Sequence, residues 1–239
     1  MFIIGILLLI IIFFSVMIPY TYFMNHSQLN ETATASVGNS TIANTDMGSV
    51  EVIRNVGNPN SSKKIAYVVG VHPLEHEVHE TLVKTLPNIT GLNYCYDIYI
   101  INVTEDVGNY GDGLSDLESP GRQHGQDLAF QYVYPEIKNG TYDLAVDIHS
   151  NVGAYEHKTF VFSPVKEGVS AEYAMEVANS CPNITYYPLD STTSGPYLTV
   201  PLNNMGIPAF FFEEYSFAPQ DVKDEHILEL IHAVDDLNL

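Results

Sequence analysis

Residues 65–80 read IAYVVGVHPLEHEVHE, an apolar run over 65–71 that passes at once into His72, Pro73, Leu74 and Glu75. The β-branched residues and Tyr67 of the run fit a buried strand, and Pro73 suits the first turn of a helix. A strand that ends in His-x-x-Glu where a helix begins aims an imidazole and a carboxylate at one point, which is a candidate metal site. Two further apolar runs carry matching chemistry. Residues 144–148 lead into His149 within Asp147-Ile148-His149-Ser150, and residues 209–212 lead into Glu213. Three strand ends then bring two His and two Glu together.

Outward from that stretch, strand-like runs over 65–71, 97–103, 144–148, 159–163 and 209–212 interleave with helical patterns over 74–86, 126–138, 170–179 and 222–237. A polar loop spans 105–124. The alternation predicts an α/β fold, a mainly parallel or mixed twisted sheet with helices on both faces. In such sheets ligands bind at the carboxyl ends of the strands, where His72, His149 and Glu213 fall. No G-x-G-x-x-G or Walker pattern occurs, so a nucleotide cofactor lacks support.

The first 23 residues carry no charge and are apolar on every face, about the ~20 residues that cross a bilayer. A basic segment before the run and an A-x-A site after it are both missing, which favours an uncleaved transmembrane anchor over a signal peptide. Residues 24–60, rich in Asn, Ser, Thr and Gly, have the composition of a flexible linker, leaving 61–239 as one catalytic-sized domain. N-x-[ST] sequons at Asn25, Asn30, Asn39, Asn60, Asn88, Asn102, Asn139 and Asn183 suit a glycosylated domain facing outward from the cell, or a secreted one if the segment is cleaved. Cys95 and Cys181 exclude a Cys-rich zinc module and leave open a single disulfide or two buried thiols. With 29 acidic against 9 basic residues, a formal charge of −20, the chain is a poor partner for nucleic acid or anionic membrane surfaces. Arg54 falls in the linker, so Arg122 is expected to be the one arginine of the folded region.

A catalytic zinc takes three protein ligands from His and carboxylate and keeps a fourth place for water. His72, Glu75 and His149 make that set. Zinc brings the pKa of its water to about 7, and Glu213 is the candidate general base that takes the proton and passes it to the leaving group. Asp147, two residues before His149 and hence on the same strand face, is placed to accept a hydrogen bond from a ligand imidazole. Arg122 offers a planar fork for an oxyanion or a substrate carboxylate. Asn109, Tyr155 and Tyr197 are candidate substrate contacts.

Gly70-Val71-His72-Pro73-Leu74-Glu75 resembles the G-x-H-x-x-E motif of zinc carboxypeptidases and of the succinylglutamate desuccinylase/aspartoacylase group. Asp147-Ile148-His149 resembles their D-x-H third ligand, and the stretch over 206–213, GIPAFFFE, resembles the one carrying their catalytic Glu. The likeness covers residues 64–235, and the short domain fits the minimal, desuccinylase-like version best. It implies one zinc and hydrolysis of an amide, either a C-terminal peptide bond or the N-acyl bond of an amino acid. It also implies a substrate carboxylate held by arginine. Members of the family carry separate arginines for oxyanion and carboxylate, with an Asn-Arg pair in carboxypeptidases; here Pro120-Gly121-Arg122 has no Asn beside it.

Other readings use the same residues. His72 as a helix cap, with Glu75 set against the dipole, needs no metal. His72-Pro73-Leu74-Glu75-His76 spells the inverted zincin motif H-x-x-E-H, which requires both His on one helix, whereas Pro73 puts His72 at the helix boundary and leaves His76, Glu77, His79 and Glu80 as a solvated or rim face. Glu214 competes with Glu213, although strand alternation puts the two on opposite faces. A membrane-anchored binding or adhesion module that keeps the metal without turnover is the alternative to an enzyme.

Overall fold

The computed structural model of the protein describes residues 37–105 and 121–239. The expected anchor over 1–23, the start of the expected linker and Asn109 lie outside them. No helix among the described residues is long and apolar enough to cross a membrane.

The strands are β1 (Gly38–Thr45), β2 (Gly48–Gly57), β3 (Lys64–Val69), β4 (Cys95–Val103), β5 (Leu144–Asn151), β6 (Phe160–Phe162), β7 (Thr185–Tyr186) and β8 (Ala209–Tyr215). They form one 8-stranded sheet in the order β1-β2-β4-β3-β5-β8-β6-β7. The sheet is mixed: β4, β3, β5 and β8 run parallel at its centre, with antiparallel partners on either side. The central strands read as continuous apolar runs because both of their faces are covered.

Alternation within one strand assigns the two faces. Ile65, Tyr67 and Val69 pack with Val78 and Leu82 of α1 (His76–Thr85), Ala174 and Val177 of α4 (Val169–Ser180), and Ile227 and Leu230 of α6 (Gln220–Asp235). Ala66 and Val68 face the other way, onto Leu128, Val133 and Ile137 of a continuous helical stretch and onto Leu202 of α5 (Thr199–Asn204). That stretch is α2 (Arg122–Leu128), a π-helical turn (Ala129–Val133) and α3 (Tyr134–Asn139). Helices therefore cover both faces of an α/β fold.

Several expectations need correction. The flexible linker drawn over 24–60 does not extend through 38–57, because β1 and β2 form a hairpin there, with Val50, Val52 and Val56 buried and Ser49, Glu51 and Ile53 only partly so. Arg54 consequently belongs to the folded region, on β2, with Nη1 3.1 Å from the buried Asp97 and Nη2 2.7 Å from Glu136. The helix drawn from 126 begins at Arg122, out of Gly121 in the left-handed region. Cys95 and Cys181 are both free and buried, and burial pushes the Cys181 thiol up to about 12.

Candidate metal centre

Gly70 sets the geometry at the end of β3. Its φ is +90°, and a Cβ there would stand 2.0 Å from the carbonyl oxygen of Ile101, so the chain can turn out of the sheet only with glycine at this position. His72 follows in extended conformation, Pro73–Glu75 make one 3₁₀ turn, and α1 continues from it. The His72 side chain makes no capping bond, which removes the cap reading. It turns inward instead. Its Nδ1 lies 2.9 Å from Glu75 Oε1, and His149 Nδ1 lies 3.0 Å from both His72 Nδ1 and Glu75 Oε2.

Ligand atoms of His72, Glu75 and His149 all fall within 4.8 Å of one another, and the three residues are buried. Each Nε2 faces a second group. Gln126 Nε2 stands 3.1 Å from His72 Nε2, and Asp147 Oδ1 stands 3.1 Å from His149 Nε2, off-line for a hydrogen bond, so that the contact is an ion pair. Gln126 donates an amide N–H to His72 Nε2 and the Asp147 carboxylate faces His149 Nε2, so both Nδ1 atoms are turned toward the Glu75 carboxylate. Two imidazole Nδ1 atoms and a carboxylate then converge at the wall of a cavity, an arrangement that suits a cation. Asp147 points the same way. Both of its carboxylate oxygens are buried without a hydrogen bond, facing the His149 ring.

The electrostatics follow from burial and proximity. Burial lowers His72 to about 4. Burial pulls Glu75 upward, but His72 and His149 outweigh it and leave the carboxyl well below its usual range. Burial also opposes charge on His149, yet Asp147 and Glu75 raise it well above an ordinary histidine. The backbone N–H of Ser150 donates to Glu75 Oε2 at 2.8 Å and holds the carboxylate in place.

Glu213 pairs in register with His149 across β5 and β8. It lines a cavity of about 430 Å³ together with His72, Glu75, Arg122 and Tyr155. Glu214 is fully buried on the opposite side, accepting from Thr159 Oγ1 at 2.9 Å and lying 2.8 Å from His226 Nδ1. Arg122 Nη1 stands 4.0 Å from Glu75 Oε1, and its Nη2 donates to Thr193 Oγ1 at 2.7 Å. Tyr197 stays out of the cavity, its hydroxyl accepting from Gln123 at 3.0 Å.

The inverted zincin reading fails because His76 lies on the half-exposed face of α1, 3.8 Å from Glu80. His79 is not a rim residue: it is buried with Nε2 2.9 Å from the Ile148 carbonyl oxygen, tying α1 to β5 beside His149, and burial lowers it to about 4. Gln126 escaped the sequence reading. A Cβ at Gly125 would stand 2.2 Å from the Val71 carbonyl oxygen, so glycine lets α2 approach closely enough for Gln126 to reach His72.

These features define a zinc carboxypeptidase-like fold with a His-Glu-His cluster fit for a metal. No family model and no curated protein matches the sequence. Solved structures do. Tripeptide-bound Csd4, a cell shape determinant from Helicobacter pylori, is 12% identical, covers 77% of this chain and superposes with a TM-score of 0.51. A metallo-carboxypeptidase from Pseudomonas aeruginosa, in complex with (2-guanidinoethylmercapto)succinic acid, is 17% identical with a TM-score of 0.50, covering 88% of this chain and 67% of its own. The chain spans about half of Csd4, 54% of its length.

Proposed function

We propose that the protein is a zinc-dependent hydrolase that cleaves an amide bond in a small peptide or an N-acyl amino acid. The observation that carries this reading is the convergence of His72 Nδ1, His149 Nδ1 and the Glu75 carboxylate beside a cavity that Glu213 and Arg122 also line. Zinc held by those three residues supplies Lewis-acid polarisation and a water whose pKa is near ~7. Water adds across the C–N bond, its hydroxyl to the acyl carbon and its remaining proton, through Glu213, to the leaving amine. Arg122 donates to the carbonyl oxygen as negative charge develops on it. Asp147 favours the His149 tautomer that leaves Nδ1 free for zinc, and Gln126 orients the His72 ring from its far nitrogen.

The test is zinc content of the full chain beside His72→Ala and His149→Ala. Near-stoichiometric zinc in the unchanged protein, lost in both variants, is expected. Peptide and N-acyl substrates are then screened with Glu213→Gln as the inactive control. A folded protein that takes up no zinc overturns the proposal in favour of a surface binding module.

A further inference from the structure

The cleft has one cation, and that cation sits at the metal cluster. Arg122 reaches to 4.0 Å from Glu75 Oε1 with one end of its guanidinium and donates to Thr193 with the other, which places it at the metal end of the cavity. The chain holds 9 Lys and Arg in all, and the other eight are engaged elsewhere. Arg54 and Lys64 both meet the buried Asp97, and Lys63 meets Asp143. Lys84 pairs with Glu80, Lys166 with Asp190, and the buried Lys223 with Glu77. Lys138 and Lys158 lie over the rings of Tyr134 and Tyr215. The segments 1–36 and 106–120 contain no Lys or Arg at all. Among the described residues no second arginine or lysine lines the cavity.

Besides Arg122 and the carboxylates of Glu75 and Glu213 at the metal cluster, the cavity lining carries no Lys, Arg, Asp or Glu among the described residues. Phe162, Leu189 and Phe211 form an apolar wall, and the loop over 191–194 contributes Ser and Thr hydroxyls. Burying a carboxylate there without a cation would be strongly unfavourable, whereas a carboxamide or a peptide carbonyl finds neutral donors.

We propose that the substrate carries no free carboxylate beside the scissile amide and presents an uncharged, apolar group to the wall of Phe162, Leu189 and Phe211. This rests on the amide-hydrolase reading above and specifies its substrate: a bond within a longer or capped chain, with Arg122 serving the oxyanion.

The experiment uses the zinc-loaded full chain with benzyloxycarbonyl-Ala-Phe and its C-terminal carboxamide, in which the same Ala–Phe bond is cleaved. The carboxamide is expected to have a kcat/KM equal to or above that of the acid. Arg122→Ala is expected to lower kcat about 10²-fold on the carboxamide with little change in KM. A tenfold or greater preference for the acid, or an Arg122→Ala effect confined to the KM of the acid, overturns the inference. If neither compound is cleaved, the hydrolase reading is left to the zinc measurement and substrate screen above, and calorimetric binding of the two compounds to the same zinc-loaded protein decides the inference separately. Tighter binding of the carboxamide then supports it, and tighter binding of the acid overturns it.

Discussion

His149 is engaged at both ring nitrogens, by Asp147 at Nε2 and by His72 and Glu75 at Nδ1. The Asp147 carboxylate thus reaches the metal cluster only through the ring. An uncharged amide of the same shape would keep the packing but lose the field that makes Nδ1 a strong donor. Asp147→Asn is expected to weaken zinc binding by about 10- to 100-fold while leaving the fold intact, measured by competition with a chromophoric chelator. Unchanged affinity would mean that Asp147 has no part in holding the ring. At this scale the clustered residues were legible because His72, His149 and Glu213 each follow a recognisable apolar run and Glu75 stands three residues after His72. Gln126 was not, since it lies 54 residues from His72 in sequence and meets it only through the close approach of α2 at Gly125.

At the scale of elements, β8 and α6 are joined by Glu214 and His226, 2.8 Å apart. The hydrogen bond to Glu214 raises the His226 pKa above the ordinary 6.5, with burial opposing it. A raised folded-state pKa gives stability that is complete below the unfolded value of about 6.5 and is lost as pH rises through the folded value. The unfolding free energy of the wild type relative to His226→Gln should therefore shrink as pH rises through that window, as read by urea titrations across it; a constant difference would remove the charge from the account. The β1–β2 hairpin shows where sequence signals fail. Val50 and Val52 alternate with Ser49 and Glu51 as a strand demands, but Asn, Ser, Thr and Gly around them imitate a linker. β1 is largely exposed, so backbone pairing with β2 holds it and no apolar pattern announces it.

Across the whole molecule, the metal cluster joins the turn after β3 to β5, two strands at the centre of the sheet. Under the proposed function, zinc bound there would tie the folded state together and be released on unfolding. At a free concentration 100 times its Kd, it adds about 2.7 kcal/mol of stability. For a domain of this size that corresponds to roughly 5–11 °C in Tm. Chelation should lower Tm by about that amount in the wild type and leave His149→Ala unmoved, as followed by calorimetry. The thiols of Cys95 and Cys181 have a separate bearing on where such a molecule can work. Each is buried and unpaired, so no covalent cross-link holds the sheet to its helices. The architecture is consequently indifferent to the redox potential of its surroundings, and a glutathione-rich solution should leave it as well folded as an oxidising one.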